Sequence, residues 1–420
     1  MTLALLFLSP AALVAPAPDL AMDKVAEAYV HLVLAVGRHD ASFVDAYYGP
    51  EAWKAKAALG MPVPRLDLEQ QTKALLAKLK ALPASPRREF LIKQLVAVDC
   101  FLRRLGGETM TLAQEAKQLY DIDIPSVTLK ELESARQKLE TLIPGESSLE
   151  TRVQSLRARF LVPADKLPIL AEAALKELRL RTARILTLPE GERFRLAFVT
   201  QKPWGGYNWY EGNLSSLIEV NTDLPIALDR VTGLLAHEGY PGHHVYNALL
   251  EHHLVKAKGW QEFSVYPLHS PQSLIAEGTA NAALGMVMTE PEHRTFMLKT
   301  LAPLAGLDTQ ELDRYLDLQK LLGTLGRAGD LAIRMQLEEK RPDAEVIAFL
   351  QRFSLVTPER ARKTLEFNRV NRAYVFTYSV GQQLVEAYAG TGPDRVQRFV
   401  DLLNRPVTPS DLITSEKKSK

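Results

Sequence analysis

Apolar residues recur at three- and four-residue intervals through most of the chain. They do so in "LEQQTKALLAKLKAL" (68–82), "REFLIKQLVAVDCFLRRL" (88–105) and "PILAEAALKELRLRTARIL" (168–186). That spacing puts one stripe of side chains on one face of an α-helix and predicts amphipathic helices packed into a core. Pro83, Gly106, Pro144 and Pro189 punctuate the helical stretches. No fixed-period repeat runs along the chain, which argues against a solenoid. The pattern changes near residue 190. "FRLAFVT" (194–200) and "SLIEVNT" (216–222) alternate with period two, as strands do, within a segment rich in aromatic residues, Gly and Asn. Helical spacing resumes near residue 225. The expected fold is therefore mainly α, with a small β insertion placed just before a cluster of histidines.

Composition narrows the classes. The 420 residues are 46% hydrophobic, enough for a sizeable core. With 51 basic and 50 acidic residues, net charge is +1. No basic excess points to nucleic acid. Cys100 is the one cysteine, so an internal disulfide is impossible and any metal must be held by His and carboxylates. The opening "MTLALLFLSPAALVAPAPDL" resembles the apolar core of a signal peptide, although it lacks a basic start. Interrupted by Pro10, it is too short for a stable membrane span. The expected organisation is a candidate signal peptide (1–18), an N-terminal helical region (19–190) and a catalytic region (191–420), the last two forming one unit. Exported or periplasmic placement is expected over cytoplasmic. The sequence leaves the oligomeric state open.

Five of the nine histidines fall between residues 237 and 253. "HEGYPGHH" (237–244) begins like the zinc signature HExxH but has Pro241 where the second His belongs. In a helix, His residues four apart share a face and reach one zinc, leaving the adjacent Glu free as a base. In a straight helix His243 would be turned about 120° from His237 and lie about 9 Å along the axis; His244 would return to the same face about 10.5 Å away. Pro241, however, cannot donate to the carbonyl of His237, and its ring clashes with that carbonyl. Tyr240 is pushed from the α region, and Gly242 tolerates unusual dihedrals. A break or bulge here can swing His243 back beside His237. Spacing alone leaves a chance cluster in a helix–turn–helix equally open.

A carboxylate is available in "HSPQSLIAEGTANAALGMVM" (269–288). Ser270 and Pro271 read as N-cap and first helical residue. Glu277 sits among small residues that permit close helix approach, and Asn281, one turn on, is placed to orient it. Equally, Glu277 can be a solvated carboxylate on a tightly packed helix.

"AHEGYPGHH" followed by "SLIAEGTAN" resembles a bacterial family with an HExxPGH motif, a domain of unknown function grouped with gluzincin-type zinc metallopeptidases. The resemblance is strongest over 204–290. It extends to "RAYVFTYSVGQQL" (372–384) and "HDASFVDAYYGPEAW" (39–53). It implies a zincin-like fold, Zn2+ held by His237, His243 and Glu277, and Glu238 as general base. His244 is the fallback ligand. The chain departs from the family in reading "EGTA" from Glu277 where many members read "EGWA". The implied activity is hydrolysis of a peptide or small amide. Tyr374, Tyr378 and Arg372 are candidate oxyanion donors, although the same residues would also suit aromatic packing with a solvated Arg. "SLIEVNT", with Glu219 and Asn221, is an expected edge strand for an extended substrate, and Tyr207 and Asn208 are expected to wall the cleft. Two rival readings stay open: a zinc amidase acting on a non-peptide substrate, and a non-catalytic helical binding protein with a structural zinc, whose fourth ligand would be His244 or another carboxylate.

Overall fold

The apolar spacing does become helix. A computed structural model describes residues 19–418, apart from 125, 203 and 224. The candidate signal peptide, 1–18, lies outside the described residues. The elements that carry the argument are α1 (Leu20–Val36), α2 (Arg65–Ala81), α3 (Pro86–Leu105), α4 (Leu167–Ile185), α5 (Leu228–Glu238), α6 (His243–Leu250), α7 (Pro271–Val287) and α8 (Phe376–Ala389). The three stretches singled out by periodicity coincide with α2, α3 and α4. Local chemistry sets the boundaries. Ser85 caps α3 by accepting from Arg88 N, with Pro86 at the first turn. Ser270 and Pro271 do the same for α7, as their order in the sequence predicts. Helix accounts for 68% of the chain and strand for 8%, so the molecule is mainly α.

One continuous hydrophobic core runs from Met22 in α1 to Leu412 and draws on both halves of the chain. A buried ion pair joins them as well: Arg87 of α3 meets Glu262 at 2.5 Å. At its centre is α7, in which every residue from Pro271 to Ala280 is buried. A helix buried on all sides belongs in the interior, and this one takes Glu277 inside with it.

Two small sheets flank the core. β2 (Arg193–Val199), β3 (Gly206–Gly212) and β4 (Ser215–Asn221) form one, in the order β2-β4-β3. β2 runs parallel to β4, and β3 antiparallel to it. β1 (Val44–Tyr47) and β5 (Val265–Pro267) pair antiparallel across more than two hundred residues of sequence. Two strands lie within a residue of the alternating stretches. The expected role of "SLIEVNT" is corrected: β4 is central, with a partner on each side, so it offers no free edge. The edges are β2 and β3, and the Gly- and aromatic-rich sequence of β3 hides its strand character.

Candidate metal centre

α5 ends at Glu238 and α6 begins at His243, so the helix breaks outright at the motif. The chain folds back across the end of α5: Gly242 N donates to Ala236 O at 2.9 Å, and Gly239 N to Leu235 O at 2.9 Å. This return needs glycine. A Cβ on Gly242 would stand 1.8 Å from the carbonyl oxygen of His237, far inside any van der Waals distance. The fold-back absorbs the two residues that separate this motif from HExxH. His237 Nε2 and His243 Nε2 come to 3.1 Å of each other, their rings nearly perpendicular at 85°.

Glu277 completes the group. Its Oε2 is 3.6 Å from His237 Nε2, and its Oε1 3.8 Å from His243 Nε2. Oε2 is buried without a hydrogen-bond partner. The donor set suits zinc. Ligands at about 2.0–2.1 Å in tetrahedral array lie about 3.4 Å apart, close to the observed separations. Both imidazoles are held neutral, the form that ligates. Burial, helped by Arg230, brings His237 down to about 4, against a hydrogen bond that the ring donates to Asn281. Burial and the neighbouring His237 drive His243 well below its ordinary value. Burial and the charge of Asp45 push Glu277 up to about 8, against the bond from Tyr374. An uncompensated carboxylate in a buried helix is costly, and a cation among these three donors would neutralise it.

His244 is not part of this group. Its ring is fully buried; Nδ1 meets Ser216 Oγ on β4 at 2.9 Å, and Nε2 meets Glu192 Oε2 at 3.0 Å. Tyr240 and Arg179 also donate to Glu192, each at 2.7 Å. Burial pushes Glu192 up, but the bonds from His244, Tyr240 and Arg179 outweigh it and hold the carboxyl below its usual range. One histidine of the pair thus faces the donor group, and the next pins the turn to the sheet.

The donors open into a cleft of about 820 Å³. Glu238 lines it; burial, with Glu277 and Asp45 nearby, raises its carboxyl well above the ordinary value, and Arg230 opposes this. Asn208 of β3 donates to the backbone carbonyl of Glu238 at 2.7 Å. Tyr207 and Asn208 line the cleft, as expected. Asn281 lines it too, but bonds His237 and the carbonyl of Tyr378 (3.3 Å) and makes no bond to Glu277.

α8 reaches the site because Gly278 of α7 packs on Gly381 of α8; a Cβ on Gly278 would lie 2.4 Å from Gly381 O. Tyr374, in the short 3-10 turn before α8, donates to Glu277 Oε1 at 3.5 Å, and Tyr378 donates to the Tyr374 hydroxyl at 3.4 Å. Tyr374 is 6% exposed and Tyr378 41%, so Tyr378 is the one open to a ligand.

Three expected residues sit elsewhere. Arg372 is bonded to Glu115 at 2.6 Å and to Met110 O, away from the cleft. Glu219 accepts from Trp209, and Asn221 donates to the carbonyls of Lys202 and Trp204, shaping a loop. The sequence reading missed Asp45 and Arg230, which also line the cleft. Arg230 was accessible: it lies two helical turns before His237, on the same face of α5. Asp45 was not, because the β1–β5 pairing that brings it in is nonlocal.

No protein-family model and no curated protein matches the chain. Among solved structures, it is similar to a "putative lipoprotein" from Colwellia psychrerythraea. The identity is 13%, over 95% of this chain and 75% of that one, with a TM-score of 0.53. At that identity the likeness concerns the fold alone. Among the described residues, no helix is long and apolar enough to cross a membrane.

Proposed function

We propose that the chain is a zinc-dependent metallopeptidase of zincin-like design, as its resemblance to the HExxPGH family implies. The observation that carries the reading is the meeting of His237, His243 and Glu277 at the floor of a cleft that Glu238 also lines. Zinc held by His237, His243 and Glu277 would supply a Lewis acid and make water more acidic. Glu238 takes a proton from water at its carboxylate as the water oxygen bonds to the scissile carbonyl carbon, and returns that proton to the amine nitrogen as the C–N bond breaks. The Tyr378 hydroxyl, exposed in the cleft, donates to the carbonyl oxygen as negative charge develops there. Tyr374 holds Glu277.

Substrate would lie along β3. Asn221 N donates to Gly205 O at 2.9 Å, and hydrogen-bonded pairs alternate along an antiparallel ladder. The backbone groups of Gly206 and Asn208 therefore face away from β4. Gly206 also comes close to Glu238: a Cβ there would lie 3.1 Å from its Oε1. An extended peptide pairing with this edge would pass its carbonyls over the donor group. A structural zinc is disfavoured, because His244, the expected fourth ligand, is bonded to Ser216 and Glu192. Export is consistent with the apolar opening of the sequence and with the lipoprotein description of the Colwellia protein.

The test is hydrolysis of a defined peptide mixture by zinc-loaded wild type and Glu238→Gln, with products identified by mass spectrometry. Cleavage by wild type and at least a hundredfold less by Glu238→Gln is expected. Equal rates, or no cleavage by a stoichiometrically loaded protein, would overturn the reading.

A further inference from the structure

Asp45 is the one acidic side chain of the cleft that the proposed reaction leaves without a task. It sits on β1, brought to the site by the β1–β5 ladder, and lines the same cavity as Glu238 and the donor group. Its Oδ1 accepts the hydroxyl proton of Tyr207. Among the described residues no second donor bonds it and no Lys or Arg pairs with it. Arg230, on the same cleft, forms no ion pair with it either. Burial raises the Asp45 carboxyl to about 6, only partly offset by Tyr207, so near neutral pH it is largely ionised. Asp45 is half-buried, and a carboxylate on a cleft wall with no cation beside it leaves room for a ligand to bring the compensating charge. The neighbouring wall adds a second acceptor with no partner, the buried Oδ1 of Asn208. Asp45 lies outside the three-residue donor group.

We propose that Asp45, oriented by Tyr207, is a subsite for the primary ammonium group of a substrate, so that the enzyme acts next to a peptide's free amino terminus. The inference rests on the peptidase reading and narrows it to an exopeptidase. The shared chemistry is a primary ammonium. A lysine side chain would offer the same group to the same carboxylate, as would a free amino terminus. A neutral acylated terminus would bring only the desolvation cost of Asp45.

The experiment is calorimetric binding of three probes to the full chain, metal-free and zinc-loaded: L-leucinamide, N-acetyl-L-leucinamide and N-acetyl-L-lysinamide. Wild type, Asp45→Asn and Tyr207→Phe are compared, with their thermal midpoints. L-leucinamide is expected to bind wild type at least tenfold more tightly than Asp45→Asn does, and N-acetyl-L-leucinamide to bind neither. Tyr207→Phe, which keeps the charge, is expected to retain most of the affinity. Asp45→Asn is expected to unfold no earlier than wild type, because it removes an uncompensated charge. Binding of leucinamide without cleavage of any peptide would sink the peptidase reading and leave the ammonium subsite standing. Binding of the lysinamide in place of leucinamide would overturn the assignment to the amino terminus. Equal affinity of wild type and Asp45→Asn, no leucinamide binding at all, or a collapse of the Asp45→Asn thermal midpoint would overturn the proposal.

Discussion

At His244 and His243, adjacent residues of one sequence motif divide two tasks. His244 is bonded at both ring nitrogens, so replacing it with Ala empties a core site and strips a partner from Glu192. A loss of about 2–5 kcal/mol is expected, measured by urea unfolding, with zinc still bound by the folded protein. His243→Ala is expected to do the opposite: little loss of stability in the metal-free protein, and loss of the metal. Glu238→Gln changes neither fold nor ligands; zinc retention with a fall in turnover of about 10²–10⁴ is expected for loss of a general base. At this scale the sequence was informative about types of residue and silent about directions. Geometry on a straight helix left His243 and His244 both short of the mark. Only the return of the chain through Gly242 decides between them.

Between elements, the site depends on two places where backbones nearly touch. Gly242 lies against the carbonyl of His237, and Gly278 lies against Gly381. Gly278→Ala must push α7 from α8, with an expected cost of about 1–3 kcal/mol for overpacking and a displaced Tyr378. Unfolding curves and peptidase rates on the same preparation would show the two losses together; a variant as stable and active as wild type would mean the helices tolerate separation. Helices were legible because their apolar spacing is local, and some add a cap signal, as Ser270 and Pro271 show. β3 was not, since its alternation is obscured by glycines and by aromatic residues on both faces. The central position of β4 could not be inferred without knowing that β3 pairs with it.

Over the whole molecule, buried groups set the response to acid. His269 is buried and bonded to Tyr120 at 2.7 Å; burial, helped by Arg104, brings it down to about 3. The unfolded chain takes up a proton near 6.5 that the folded protein refuses. Stability from this group is therefore complete above about 6.5 and declines as pH falls towards 3, with a slope approaching about 1.4 kcal/mol per pH unit. His269→Gln is expected to flatten that limb in urea midpoints measured from pH 7 to 4; an unchanged limb would assign it to other groups. The continuous core also explains why the site can gather from distant sequence: Asp45, Glu238, Glu277 and Tyr378 come from four elements packed against one interior. The central claim is that the Pro-Gly break delivers His243 to His237 and Glu277 as a zinc triad. It is tested most directly by zinc stoichiometry on dialysed wild type, His237→Ala, His243→Ala, His244→Ala and Glu277→Ala, each verified as folded. One zinc per chain in wild type and in His244→Ala, and loss from the other three, is the expected result. No zinc in wild type, or zinc lost from His244→Ala and kept by His243→Ala, would contradict it.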